Sequence, residues 1–174
     1  MFKSQVQGHI DYCSQLCLPS QSKFLEAIEE LQRVFSKKIP EVKNLNYWER
    51  LKELQIMSLQ RRRERFLIIF VWKIRNNFYP NVLNLKFDTN RRSGAIKVVL
   101  KPLPRVTGRL LTVYEESFFI VAAKLWNVIP ANLTHIDLLD AFKFQLDQYL
   151  DTVPDKPPLP GYVYQNNNSL LKQC

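Results

Sequence analysis

The sequence predicts a mainly helical fold of the α+β class, with a small antiparallel β element and a helical core around one buried central helix. Three observations lead to this prediction. Apolar residues recur at helical spacing between residues 58 and 75. Only four glycines occur in 174 residues, which argues against a turn-rich all-β protein. The composition, 46% apolar and 12% aromatic, is sufficient for one buried core.

The central helix is predicted from about Ser58 to Arg75. Its second half, Phe66–Trp72, is apolar in every direction, and a helix that is apolar all round is buried by neighbours on several sides. We therefore expect a helix around Phe24–Phe35 to pack against it. The residues expected to be largely buried are Phe66, Leu67, Ile69, Phe70 and Trp72.

The first half of the same helix carries four arginines, Arg61, Arg62, Arg63 and Arg65. Positive charge in a first helical turn opposes the helix dipole, and arginines four residues apart repel one another. Carboxylates could offset this charge inside the fold, and a bound phosphate could do so equally well. The candidate carboxylates are Glu49, Glu53 and Glu64. The functional question is therefore whether these arginines form internal ion pairs or contact nucleic acid.

Further helices are expected on both sides of the central one. A short helix is possible within residues 6–18, and another, starting after Ser20 or Ser22, ends at Ile39–Pro40. The stripe of this second helix contains Phe24, Leu25, Ile28, Leu31, Val34 and Phe35. Asn44 or Asn46 caps a short helix from Tyr47 to Leu54. A last helix, Leu138 to Leu150, is opened by Asp137.

Between Pro80 and Arg109 the sequence favours β structure. Three short β-prone runs are separated by turn signals; they are Leu83–Phe87, Ile96–Leu100 and Leu110–Tyr114. Phe118–Val121 is expected as a further strand, and Ala122–Val128 as a short helix. The predicted organisation is a helical region at 1–80, the β element with C-terminal helices at 81–160, and a flexible tail at 161–174.

The charge is strongly positive and unevenly distributed. The formal net charge is +9. Arg33–Arg75 holds twelve Lys and Arg against four Glu, and Arg91–Arg109 holds six Lys and Arg without an acid. Asp137–Asp155 holds five Asp against Lys143 alone. Such blocks are typical of proteins that bind polyanions. The alternative is that the acidic helix neutralises basic neighbours within the fold.

No catalytic or metal-binding pattern is visible, so we expect no cofactor. His9 and His135 are isolated, and the cysteines form neither a zinc motif nor a disulfide framework. Asp147 and Asp151 lie four residues apart, but a solvated helix face explains this spacing. The longest apolar run has seven residues, too few for a membrane span. An intracellular protein, nuclear or cytoplasmic, is expected.

Several stretches together carry a resemblance to a known family. They are Gly8–Leu16, Leu31–Ile39, Leu45–Leu54, Leu59–Arg65, Val71–Ile74, Ser117–Val121 with Leu125–Asn127 and Pro130, and Ala141–Lys143. Their order and spacing resemble the region after the polymerase domain in reverse transcriptases of non-LTR (LINE-type) retrotransposons. The similarity covers roughly residues 6 to 160.

The resemblance implies a thumb-like and connector region of an RNA-directed DNA polymerase. In such enzymes the metal-binding aspartates lie in the palm, and this chain contains no Asp-Asp pair. It is therefore expected to have no polymerase activity by itself. Its expected partners are the DNA or RNA backbone and the polymerase domain of the parent protein, with no membrane. The expected contact residues are Arg61, Arg62, Arg63, Arg65, Arg91, Arg92, Lys97, Lys101, Arg105 and Arg109.

Two further alternatives concern aromatic residues and the role of the module. Trp48, Trp72 and Trp126 could stack on bases, although each lies within a helical apolar pattern that favours core packing. The chain could also be a structural or protein-interaction remnant with no nucleic-acid role. In that case the helix arginines would pair with internal carboxylates.

Overall fold

A computed structural model of the chain describes residue 8 and residues 22–82, 84–90, 92–100, 105, 107–157 and 168–172. Side chains are described for these residues except 22–25 and 172. The described part is mainly helical with one two-stranded antiparallel sheet, which confirms the predicted α+β class.

Seven α-helices lie within the described residues. They are α1 Ser22–Lys37, α2 Tyr47–Glu53, α3 Leu59–Arg75, α4 Arg109–Glu115, α5 Phe118–Val128, α6 Ala131–Thr134 and α7 Leu139–Thr152. The strands are β1 Phe87–Thr89 and β2 Ile96–Val98, and a 3₁₀ turn covers Leu170–Lys172. Helix α3 confirms the predicted central helix.

The contacts divide the chain into two compact units. The first contains the described residues within Met1–Arg63 and Pro154–Gln173, and the second those within Glu64–Val153. The division falls inside α3, whereas the sequence suggested a change of character near residue 80.

In the first unit, α2 begins at Asn46, one of the two caps that the sequence predicted. Asn46 Oδ1 accepts the backbone N–H of Glu49 at 3.0 Å, and the Glu49 carboxylate accepts the N–H of Asn46 at 3.0 Å. This reciprocal pair satisfies two N–H groups that a helix start leaves unpaired. Tyr47, Arg50 and Leu51 form the buried side of α2.

The apolar stripe predicted for α1 does not face the interior along its whole length. Leu31 is 55% exposed and Val34 is 47% exposed. Ile28 and Phe35 are half-buried, and Phe24 and Leu25 lie outside the described side chains. Among the described side chains of α1, the buried ones are polar: Glu29, Gln32 and Ser36. They are held by hydrogen bonds to residues of α2 and of the start of α3, and these bonds determine which face of α1 turns inward.

The core of the second unit forms around the apolar half of α3. Leu67, Ile69 and Trp72 are buried as predicted, while Phe66 and Phe70 are only half-buried. The Trp72 ring stacks on Phe142 of α7 with centroids 5.5 Å apart. Phe142 also contacts the Trp126 ring of α5, with a centroid separation of 6.1 Å.

Strands β1 and β2 form a hairpin in the region where the sequence predicted β structure, but β1 begins at Phe87, where the predicted run Leu83–Phe87 ends. Phe87 pairs with Val98 and Thr89 with Ile96, and Gly94 in the connecting turn has φ +66°, a conformation that favours glycine. The outer edge of β2 is bonded to side chains. Ile96 N donates to Thr134 Oγ1, Trp126 Nε1 donates to Ile96 O, and Asn127 bonds both N and O of Val98.

The two further strands predicted at Leu110–Tyr114 and Phe118–Val121 are wrong, because both stretches are helical. Side chains already bond the outer edge of β2, so a third strand cannot pair there. In α5 the buried residues Ala122, Ala123, Leu125 and Trp126 follow the helical period. Short apolar runs do not distinguish the two structures by pattern alone.

Candidate nucleic-acid interface

The side chain of Arg61 lies inside the first unit rather than on its surface. Only 1% of Arg61 is exposed. Its Nη2 donates to the carbonyl oxygens of Pro154 at 3.1 Å and Asn168 at 2.9 Å. Residues 168–170 of the C-terminal segment are buried. Arg61 joins the start of α3 to these C-terminal residues.

Two carboxylates occupy the N-terminal end of α3. Asp155 accepts both the backbone N–H and the hydroxyl of Ser58 at 2.7 Å. Glu29 Oε2 accepts the N–H of Leu59 at 2.9 Å. Asp155, and Glu29 when it is ionised, place negative charge at this end of α3, where it complements the helix dipole.

The carboxylates at the start of α3 are therefore not Glu49 and Glu53, the two residues before this helix that the sequence suggested. Glu49 serves the cap of α2, and Glu53 is exposed. Glu64 is buried, as expected for an internal residue. Glu29 and Asp155 stand far from Ser58 in sequence, so no local spacing pattern points to them.

Burial has a strong electrostatic effect on Glu29. Its carboxylate accepts the Tyr47 hydroxyl as well as Leu59 N–H. Desolvation nevertheless dominates and raises the pKa of Glu29 to about 7. Burial, and the neighbouring Glu29 carboxylate, raise the pKa of the Tyr47 phenol as well. The first unit therefore contains a carboxyl group that titrates near neutral pH.

The remaining arginines of α3 are also largely engaged or covered. Arg65 forms a bidentate pair with Asp147 of α7, in which Nη2 lies 2.7 Å from Oδ2. Arg63 is buried, and Arg62 is half-buried. The acidic helix α7 thus neutralises at least one basic residue within the second unit, as the alternative interpretation of the charge blocks predicted.

The block between Arg91 and Arg109 has a different character. Arg92, Arg105 and Arg109 are exposed, and within the described part of the chain no acid pairs with them. Lys97 differs, because its ammonium donates to Asn127 O and is half-buried. Desolvation lowers the pKa of Lys97. Arg91 and Lys101 lie outside the described residues.

Arg92 stands at the tip of the β hairpin. The Asn90 side chain accepts the N–H groups of Arg92 at 2.9 Å and Ser93 at 3.2 Å. His135 Nε2 lies 2.8 Å from the carbonyl oxygen of Gly94 in the same turn. The backbone that carries Arg92 is thus fixed by side chains on both sides, while its guanidinium remains in solvent.

Four further exposed lysines were not among the residues that the sequence predicted as contacts. They are Lys37, Lys38, Lys43 and Lys52, all in the first unit. In the sequence, only the adjacent pair Lys37 and Lys38 pointed to a basic site. That pair lies at the end of α1, where lysines also interact favourably with the helix dipole.

The three tryptophans are used for packing. Trp72 and Trp126 are fully buried. Trp48 is half-buried and donates its indole N–H to Pro157 O at 2.9 Å. Core packing, the preferred prediction for these rings, is confirmed for Trp72 and Trp126.

No metal site is formed by the side chains that the structure describes, since no three of their His, Cys, Asp and Glu residues cluster suitably. Asp147 is occupied by Arg65, and Asp151 is exposed. His9, Cys13, Cys17 and Cys174 lie outside the described residues. Among the described helices, none has the length and apolar character needed to cross a membrane.

Comparison with protein-family models, with curated proteins and with solved structures gives no match to this chain. The function must therefore be inferred from the exposed and buried basic residues of this chain and from the resemblance of its motifs to non-LTR reverse transcriptases.

Proposed function

We propose that this chain is a non-catalytic module that binds the nucleic-acid backbone, of the kind that follows the palm in non-LTR retrotransposon reverse transcriptases. The observation that carries the proposal is the exposed group Arg92, Arg105 and Arg109, in a block of the sequence without any acid. Its partners would be DNA or RNA phosphates and the polymerase domain of a parent protein. Such a module acts inside the cell, in the nucleus or the cytoplasm.

In this proposal the two basic regions have different roles. The exposed arginines contact phosphates and release counterions, which gives affinity without base readout. The α3 residues Arg61 and Arg65 instead hold the fold together, since their guanidinium groups bond carbonyl oxygens and a carboxylate inside their own units. The sequence alone predicted all ten basic residues as contacts and left internal pairing of the α3 arginines as the alternative.

A second candidate function is a structural or protein-interaction module without a nucleic-acid role. The internal bonds of Arg61 and Arg65 favour it, because they remove these arginines from a possible binding surface. It differs from the first candidate in what the exposed arginines do, since in a scaffold they would only be solvated.

The two candidates are separated by a charge-matched pair of triple variants. One carries Arg92→Gln, Arg105→Gln and Arg109→Gln. The control carries Lys37→Gln, Lys38→Gln and Lys52→Gln, which removes the same charge from the first unit. Binding of labelled duplex DNA is measured by fluorescence anisotropy over a range of salt concentrations.

We expect the arginine variant to bind all duplex sequences more weakly. Its log–log salt slope should flatten by about 0.9 for each phosphate that the variant no longer neutralises. The lysine control should change less. Equal weakening of the two variants would show diffuse attraction by net charge rather than a site. Absence of salt-dependent binding by the unaltered chain would favour the scaffold.

A further inference from the structure

Four aromatic rings form a continuous strip on the second unit. Tyr79 lies against Phe70 with ring centroids 5.7 Å apart, Phe70 against Phe118 at 5.2 Å, and Phe118 against Phe119 at 5.6 Å. Phe70 belongs to α3, while Phe118 and Phe119 begin α5. The strip thus connects two helices of one unit.

Every ring of the strip reaches the solvent. Tyr79 is 42% exposed and Phe119 is 46% exposed, and the two rings between them are half-buried. Of the tryptophans that the sequence offered for base stacking, Trp72 and Trp126 are fully buried, and Trp48 donates its indole N–H to Pro157 O. Contiguous exposed apolar surface of this kind commonly marks an interaction site.

A cation stands at one end of the strip. The ammonium of Lys73 lies 3.1 Å from the Tyr79 hydroxyl oxygen and 4.8 Å from the centre of its ring. Lys73 follows Phe70 on α3 by less than one helical turn. Aromatic faces beside a positive charge are the combination that unpaired nucleic acid requires, since bases stack on the rings while a cation contacts the phosphate.

We propose that the strip Tyr79–Phe70–Phe118–Phe119 binds an unpaired nucleic-acid strand by base stacking, with Lys73 at an adjoining phosphate. The inference rests on the proposed function and adds, to backbone binding by the arginines, a preference for nucleic acid that contains an unpaired stretch. Bases in a duplex are already stacked on their neighbours, so their faces are closed to these rings. Every base has an aromatic face, so the strip has no strong sequence preference.

The test compares three ligands of equal length and label: oligodeoxythymidylate, an abasic strand and a duplex. The altered protein carries Tyr79→Leu and Phe119→Leu, which keep apolar volume and remove the aromatic faces. The control carries Phe144→Leu, because Phe144 is 63% exposed on α7 but is not part of the strip. A further variant with Tyr79→Phe and Phe119→Tyr keeps both rings.

We expect the leucine double variant to bind oligodeoxythymidylate at least about tenfold more weakly, the loss typical of one stacked base. Its affinity for the abasic strand and the duplex should be unchanged. The Phe144→Leu control and the ring-preserving variant should bind as the unaltered chain does. Unchanged melting temperatures would show that each variant is folded.

The opposite results refute the stacking strip in distinguishable ways. If the leucine variant binds oligodeoxythymidylate normally, or the unaltered chain prefers it no more than the abasic strand, the strip does not stack bases. It would then be free to contact an apolar protein surface, and backbone binding by the arginines would stand. If the unaltered chain binds none of the three ligands, the stacking strip and the proposed function both fail.

Discussion

Replacement of the buried Glu29 by glutamine should remove a specific pH dependence of stability. Glu29 is enclosed in the first unit and accepts hydrogen bonds from the Tyr47 hydroxyl and the Leu59 N–H. Burial raises its pKa from an ordinary value of 4.5 to about 7. Glutamine has the same shape but stays neutral at every pH.

The sign and size of the effect follow from linkage. Because the pKa is raised on folding, the folded chain binds this proton more tightly than the unfolded chain. The corresponding stabilisation is complete below about pH 4.5 and is lost as the pH rises to about 7. At about 1.4 kcal/mol for each pKa unit, the total is about 3 kcal/mol.

The assay is urea unfolding, followed by tryptophan fluorescence, of the unaltered chain and the Glu29→Gln variant over this pH range. The free energy of unfolding of the unaltered chain, relative to the variant, should fall by about 3 kcal/mol from acid to neutral pH. Glu26→Gln, at an exposed position of the same helix, controls for the loss of one charge. A difference that is constant across the range, or that grows with pH, would refute the reasoning.

Three other predictions follow from the described contacts, and a fourth follows from the absence of an Asp-Asp pair in the sequence. Asn127→Ala should cost about 1–3 kcal/mol and speed hydrogen exchange at Val98, since it removes the side chain that bonds both the N–H and the carbonyl oxygen of Val98; unchanged exchange would contradict this. Phe142→Ala should lower the free energy of unfolding by roughly 3–5 kcal/mol, because the ring is fully buried between two tryptophans. A double-mutant cycle of Arg65 and Asp147 should give a coupling of about 1 kcal/mol that weakens in salt, as the pair is partly exposed. The purified chain should not extend a primer with Mg²⁺ or Mn²⁺, and measurable nucleotide incorporation would overturn the proposal of a non-catalytic module.

The features that the sequence predicted correctly depend on local chemistry. The Asn46 cap needs only a side chain three residues away from its partner N–H. The hairpin needs two β-prone runs and a turn with Gly94. The course of α3 follows from the periodicity of its own apolar residues. In each case the decisive contacts lie within or between neighbouring segments.

The wrong predictions depended on partners distant in the chain. The first helix turns polar residues inward because Glu29 and Gln32 bond the segment that opens α3. Phe118–Val121 is helical although its residues favour strands, and the β2 edge that it would have joined is bonded by Asn127. Tertiary contacts override weak local preferences in such stretches.

The candidate interface shows the same limit. A run of arginines in the sequence does not reveal that Arg61 bonds the carbonyl oxygen of Asn168, which lies 107 residues further along. Exposure, rather than charge count, distinguishes Arg92 from Arg61. Exposure is a property of the folded chain. The spacing of the basic residues in either block does not reveal which of them will be exposed.

The most direct test of the proposed function is the reactivity of individual arginines toward phenylglyoxal, measured by mass spectrometry with and without duplex DNA. We expect Arg92, Arg105 and Arg109 to react in the free chain and to be protected when DNA is bound. Arg61 should be unreactive in both states, since it is buried and bonded to carbonyl oxygens. Protection that is absent from all three exposed arginines, in a chain that has bound DNA, would contradict the proposed interface.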